Sequence, residues 1–157
     1  MSLSASRFIA QLTVMALTGT VGSLAATCTA VHGQIQETAV ISGCTSLFGL
    51  CTVSQISGNI TGVGQFTATN ILPVPNTPFV IISGDISATN VQLDTKHGTI
   101  TLKSTAAYNT ATGDIVDYEV ITGGTEDFEK ATGALRVTGT FLNGTGTSHF
   151  IGTVCVP

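Results

Sequence analysis

Short runs of alternating apolar and polar residues fill this chain from about residue 31 to its end and constrain its fold more than any other feature. Such runs are typical of β-strands, because successive side chains of a strand point to opposite faces of the sheet. Gly, Asn and Pro separate the runs at intervals of roughly eight to twelve residues, as turns do. The runs cover residues 34–41, 52–59, 61–69, 79–86 with its continuation 89–93, 99–106, 115–122, 134–142 and 149–156. The sequence contains no convincing amphipathic helix, so the pattern predicts an all-β fold.

The same alternation indicates how the strands are arranged. One apolar and one polar face is typical of an antiparallel sheet with one side in water, and regular short strands form either a sandwich or a barrel. Charged residues make up 9% of the 157 residues, against roughly 25% in an average domain. Few lysines are therefore available to protect an exposed edge strand, which favours a sheet that closes into a barrel. We predict one small antiparallel eight-stranded β-barrel.

Residues 1–26 have the layout of a secretory signal peptide. Arg7 provides a positive start, an uncharged stretch follows, and residues 23–26 offer small side chains for cleavage. A membrane anchor is the alternative, but polar residues interrupt an apolar core that is short for a span of about 20 residues. A lipoprotein box at Cys28 is a further alternative, although its pattern is out of register by one residue. We predict cleavage, a single barrel domain over 27–157, a secreted or periplasmic location and no membrane association after cleavage.

The cysteine count agrees with export. An even number of cysteines in an exported chain favours disulfides, and Cys28, Cys44, Cys51 and Cys155 permit three connectivities. If the barrel closes, Cys28 and Cys155 lie on its first and last strands, where a bridge would staple the closure. Cys44 and Cys51 would then close a small loop. Their spacings fit neither a zinc site nor a redox pair, so we expect no metal.

The charge balance excludes one class of partner. The formal net charge is −4, and the few cations are scattered along the chain, so they cannot form the basic stripe that phosphate neutralisation requires. We therefore expect neither nucleic acid nor an anionic membrane as a partner. Asn59 and Asn143 each begin an N-glycosylation sequon, which a eukaryotic source would be able to use.

Residues 121–141 contain a glycine turn, a single Phe, an Ala-Thr-Gly step and a further alternating strand. The pattern Gly123-Gly-Thr-x-x-Phe128-x-x-Ala131-Thr-Gly133 resembles the strand corner of the allene oxide cyclase and dirigent barrels, and of a group of uncharacterised secreted bacterial proteins. The segment 62–66, Gly-Val-Gly-Gln-Phe, is similar to a segment upstream of that corner. This chain has Glu126 where the family usually has another glycine.

The corner motif is best interpreted as architecture. Glycines permit positive φ and close backbone approach, Phe128 would plug one end of the barrel, and Ala131 and Gly133 would pack where larger side chains cannot fit. The resemblance implies an eight-stranded barrel. It also implies that cavity shape, with few catalytic residues, would be able to steer a reactive small molecule.

Familiar catalytic motifs are missing from the sequence, and we expect no cofactor. There is no phosphate loop, no Gly-x-Ser-x-Gly elbow and no His-Glu-x-x-His segment. The histidines His32, His97 and His149 do not have the spacing of a metal site.

Carboxylates are the better candidates for chemistry. Asp117 and Glu119 lie two residues apart, so they share one face of a strand. An inward orientation would raise one pKa through desolvation and repulsion, as an acid catalyst needs. The apolar neighbours on the other face favour an outward orientation, which we therefore expect. Asp85, in an apolar run after a glycine, is either buried or at a bulge, and Tyr118 completes the set of candidate catalytic residues.

Tyr108 and Arg136 are the remaining candidates for orienting a ligand, and a homo-oligomer is compatible with the sequence. An eight-stranded barrel is just wide enough to hold one small ligand. Three functions therefore remain open: a secreted barrel with a binding, scaffold or surface-interaction role; a cofactor-free cyclase, isomerase or dirigent-type protein; and a carrier of an apolar small molecule. An apolar cavity with convergent polar groups would favour the roles that involve a ligand.

Overall fold

The computed structural model describes residues 26–157. Its eight strands form one antiparallel barrel in chain order, and the last strand closes the barrel by pairing with the first. The strands are β1 (Thr27–Ala39), β2 (Cys51–Gly58), β3 (Ile60–Pro73), β4 (Phe79–Leu93), β5 (Lys96–Asn109), β6 (Asp114–Gly124), β7 (Thr132–Leu142) and β8 (Thr145–Val156). A short 3-10 helix, Glu126–Phe128, lies between β6 and β7. The predicted eight-stranded antiparallel barrel is confirmed.

Several strand boundaries differ from those predicted from the sequence; β3, for example, ends at Pro73 rather than at residue 69, and β5 extends three residues further at each end. β1 begins seven residues early at Thr27 and β8 begins four residues early at Thr145, because these two strands pair with each other along almost their whole length. Ladder hydrogen bonds thus extend both strands beyond their clear alternation. β4 runs from Phe79 to Leu93, which confirms that residues 89–93 continue the strand, and near residue 88 the register shifts and Asn90 has φ 51°. A bulge of this kind bends a strand without ending it.

The main apolar cluster lies towards one end of the barrel, which we call the plugged end because the corner with Phe128 covers it. The turns after β2 and β4 and the corner between β6 and β7 lie there. Phe128 is 0% exposed and Ala131 is 1% exposed, and both belong to the main apolar cluster. Aliphatic and aromatic side chains from every strand except β2 complete that cluster: Val31, Ile35, Ile60, Ala88, Val91, Leu93, Ile100, Leu102, Ile121, Val137, Phe150, Val154 and Val156.

The corner motif has a steric reason for its glycines. Gly133 has φ 140°, and a Cβ there would collide with the carbonyl oxygen of Thr153. Gly123 also has φ 140°. Glu126, the residue that departs from the family pattern, has φ 55°, in the left-handed region that glycine adopts without a penalty. The position therefore suits glycine, and this chain tolerates a less favourable residue there.

Two disulfides join the four cysteines as the closed barrel predicts. Cys28 on β1 and Cys155 on β8 are direct partners in the strand register and are bonded to each other. Cys44 and Cys51 close the loop between β1 and β2. Of the three connectivities that the sequence permits, this is the one in which a disulfide joins the first and last strands. Two disulfides are consistent with an extracellular or periplasmic protein.

The signal-peptide prediction for residues 1–26 lies outside the described residues, apart from Ala26. Within residues 26–157 there is no helix of the length and apolar character that a membrane crossing needs.

Candidate functional site

The opposite end of the barrel, which we call the open end, leads to an internal cavity of about 240 Å³. The loops between β1 and β2, β3 and β4, β5 and β6, and β7 and β8 lie at this end. A deeper chamber of about 60 Å³ adjoins the cavity, since Glu37, Phe66, Ile86 and Glu119 line both. The cavity is also lined by Leu50, Thr52, Ile82, Ser104, Ala106, Tyr108, Ile115, Asp117 and Phe141. Most of these side chains are apolar, so the cavity suits an apolar ligand.

Asp117 and Glu119 point into this cavity, so the expectation that they face outward is wrong. They are 8% and 7% exposed, whereas the apolar residues of the other face, Val116, Tyr118 and Val120, are 42%, 62% and 54% exposed. Each face of β6 carries apolar residues, because Ile115 and Ile121 share the face of the carboxylates. Alternation alone therefore cannot tell which face is inside.

Glu37 on β1 is a third carboxylate in the wall of the cavity, and sequence reasoning missed it. It is half-buried and lies two residues after the core residue Ile35. That period-two relation to Ile35 was the available sign that Glu37 faces inward. The structure thus brings Glu37, Asp117 and Glu119 together as one group, called here the carboxylate cluster.

Asp117 is held by hydrogen bonds on one side only. The hydroxyl of Ser104 donates to its Oδ2 over 2.7 Å, while its Oδ1 is buried and has no hydrogen-bond partner. Burial raises the pKa of Asp117, and the Ser104 hydroxyl and the nearby backbone N–H groups of Thr105 and Tyr118 partly oppose that rise. A buried acceptor without a partner is costly, so a donor that reached Oδ1 would stabilise the site.

Glu119 has the most perturbed carboxyl group of the cluster. Burial raises its pKa to about 8, with further contributions from the negative charges of Asp117 and Glu37. Burial, and then the charge of Asp117, raises the pKa of Glu37 as well. Glu119 is therefore mostly protonated at neutral pH and is able to donate a hydrogen bond or a proton.

No base balances these acids within the part of the chain that the structure describes. Neither chamber has Lys, Arg or His in its wall. Across residues 26–157, no group of three or more His, Cys, Asp or Glu side chains has an arrangement that could hold a metal ion. The three histidines are all exposed.

The remaining sequence candidates fall into two places. Tyr108 lines the cavity, and its hydroxyl donates to the carbonyl oxygen of Phe141 over 2.9 Å. Asp85, Tyr118 and Arg136 lie on the outside of the barrel. Asp85 is exposed and forms an ion pair with Lys103. The structure therefore groups Tyr108 with the carboxylates and separates the other three candidates from them.

Exposed apolar side chains surround the open end. Leu47 and Phe48 from the loop before β2 are 99% and 47% exposed, and Leu142 at the end of β7 is 46% exposed. Leu72 and Phe79, which flank the proline-rich loop, are also exposed. The entrance to the cavity is thus an apolar rim that an apolar molecule would contact before it reaches the carboxylates.

Comparison of the chain with protein-family models and with curated proteins gives no match. The resemblance of the corner motif to the allene oxide cyclase and dirigent barrels therefore remains a prediction. The geometry itself allows three kinds of chemistry in the cavity: burial of an apolar group, hydrogen bonding to carboxyl groups, and proton donation from Glu119.

Proposed function

We propose that this protein is a secreted barrel that binds a small, largely apolar molecule in its internal cavity. The observation that carries the proposal is the juxtaposition of an apolar cavity of about 240 Å³ with three inward carboxyl groups at its wall. Ligand sites are typically apolar hollows with a few convergent polar groups. An interior built only for stability would be lined by apolar side chains and would not contain three carboxyl groups.

The size of the cavity limits the ligand. A volume of about 240 Å³ lies just below the roughly 300–1,000 Å³ of typical ligand pockets. The occupant is therefore compact, such as a molecule with one ring, and its polar group lies against the carboxylate cluster.

Filling the cavity tests this proposal. Ala106 is 4% exposed and lines the cavity, so Ala106→Phe places a ring in the ligand volume. Ala134→Phe adds the same ring to the exposed face of β7 and serves as the matched control. Thermal-shift screening with a panel of small apolar probes should show saturable stabilisation of the wild type and of Ala134→Phe, and none of Ala106→Phe.

Two outcomes contradict the proposal. One is stabilisation of all three proteins to the same degree, which would place the probes on the outer surface. The other is no stabilisation of the wild type by any probe. If Ala106→Phe fails to fold, Ile82→Phe fills the same cavity from β4.

A cofactor-independent isomerase or cyclase is a second candidate, and the protonated Glu119 favours it. A carboxyl group with a pKa of about 8 is suited to donate a proton near neutral pH. A neighbouring ionised carboxylate of the cluster would accept a proton from another atom of the same substrate, so the net reaction is an isomerisation. Product analysis after incubation with strained epoxides tests this role: conversion by the wild type and by Asp85→Asn, but not by Glu119→Gln, supports it, and equal conversion by all three refutes it.

A further inference from the structure

We infer that the ligand of this cavity is a small apolar amine, bound as its cation with the ammonium group against the carboxylate cluster. This inference rests on the proposed binding function and specifies the chemistry of the ligand. Its basis is the position of three acids at the wall of a largely apolar cavity, together with one buried carboxylate oxygen that has no partner.

The charges around the cluster are all of one sign. Glu37 faces the cavity from β1, and Asp117 and Glu119 face it from β6. Tyr108 on β5 is the other titratable group in the walls, and the lining residues from β2, β3, β4, β7 and β8 are hydroxyl, amide, glycine or apolar residues. Like charges brought together in a poorly solvated site repel each other, and a cation among them removes that repulsion.

The hydrogen-bonding pattern favours an ammonium group over a neutral group. An ammonium group has three donors and no acceptor, and an ionised carboxylate accepts only. Oδ1 of Asp117 has no donor, whereas Oδ2 is already bonded to Ser104. An ammonium group would satisfy Oδ1, and its positive charge would lie near Glu37 and Glu119, which interact electrostatically with Asp117.

The rest of the cavity defines the body of the amine. Phe66, Ile82, Ile86, Ala106 and Ile115 form apolar walls, which would bury a hydrocarbon ring. A bare metal ion would leave that apolar space unfilled, and the described residues contain no group of His, Cys, Asp and Glu arranged to hold one. A compact amine satisfies both the acidic and the apolar parts of the wall.

Binding of a cation should release protons and depend on pH with a definite sign. At pH 5 Glu119, whose pKa is about 8, holds a proton, so the amine has to displace it. As the pH rises towards 8 Glu119 ionises, and affinity for the amine increases. Affinity should fall again only when the amine itself loses its proton, near pH 10 for an alkylamine that titrates as lysine does.

A matched ligand pair tests the inference: cyclohexylmethylamine and cyclohexylmethanol, which share the same ring and differ in the polar group. Calorimetric titration of the folded, disulfide-bonded protein at pH 7.5 should show the amine binding at least tenfold more tightly than the alcohol. Titrations in two buffers of different ionisation enthalpy should show that the protein releases protons when the amine binds and does not when the alcohol binds. At pH 5 the affinity for the amine should drop at least tenfold.

Variants separate the cluster from the protein surface. Glu119→Gln should reduce the preference for the amine to less than threefold, and Glu37→Gln, at a half-buried position, is a second test if the first variant does not fold. Asp85→Asn removes an exposed carboxylate and should change neither the affinity for the amine nor its preference over the alcohol.

Equal binding of alcohol and amine would overturn this inference and leave the proposed binding function standing. An amine preference that persists in both cluster variants would also overturn it. Failure of both ligands, together with every other apolar probe, would overturn the binding function as well.

Discussion

Replacing Glu119 with Gln should make the stability of the protein much less dependent on pH. Glu119 is 7% exposed, and burial raises its pKa from 4.5 to about 8 in the folded protein. Gln has nearly the same shape and stays neutral at every pH, so it removes the ionisation and keeps the packing. The variant therefore isolates the free-energy cost of a buried negative charge.

The sign and size of the effect follow from linkage. Between pH 4.5 and about 8 Glu119 is protonated in the folded state and ionised in the unfolded chain, so the unfolded state binds fewer protons. The free energy of unfolding then falls by about 1.4 kcal/mol per pH unit as the pH rises. Over the full window this amounts to about 5 kcal/mol, an upper bound because water that enters the cavity would solvate the charge.

Guanidinium chloride unfolding at pH 5, 6, 7 and 8, with the disulfides intact, measures the effect. The wild type should lose stability steadily across this range, and Glu119→Gln should lose far less, although Asp117 and Glu37 leave a residual slope. Glu129→Gln removes an exposed carboxylate and should behave as the wild type does. Parallel pH profiles for the wild type and Glu119→Gln would refute the assignment of a buried, protonated carboxyl group at this position.

Three further predictions concern the barrel itself. Phe128→Ala should lower the free energy of unfolding by about 3–5 kcal/mol, because its ring is 0% exposed at the plugged end. Glu126→Gly should raise the free energy of unfolding by about 0.5–1 kcal/mol. Glu126 has φ 55°, and the left-handed region costs a residue other than glycine about 1–2 kcal/mol. Glycine removes this cost, but its greater conformational entropy in the unfolded chain cancels part of the benefit. Replacing Cys28 and Cys155 with Ser should lower the free energy of unfolding by about 5 kcal/mol, roughly twice the effect of removing the Cys44–Cys51 disulfide. The reason is loop length: the first pair is 127 residues apart in the chain and the second pair is 7 apart. Denaturant midpoints measure all three, and an unchanged midpoint contradicts the corresponding argument.

Much of the fold could be predicted because it depends on local pattern. Alternating runs and turn residues identified the strands, and the low charge favoured a closed sheet over one with exposed edges. Strand ends were less predictable. The first and last strands are longer than their alternation indicates because each supplies the other with hydrogen-bond partners, and β4 passes through a bulge at Asn90.

The candidate site was less accessible to sequence reasoning. Asp117 and Glu119 were recognised as a pair on one strand face, but the face was assigned to the wrong side of the sheet. Glu37 was missed because it is about 80 residues away in the chain, and only closure of the barrel brings β1 near β6. Asp85 was a candidate because its segment is apolar, yet its side chain lies outside with Lys103.

Period-two alternation, turn residues and low charge were sufficient to predict an eight-stranded antiparallel barrel, and the even cysteine count predicted two disulfides with three possible pairings. The strand order, the disulfide pairing and the side of each strand that faces the interior depend on the three-dimensional fold. A period of two says which residues share a face, and it does not say which face is covered when both carry apolar side chains. That choice depends on how eight strands close around one core, and it converts three separate acids into one buried cluster.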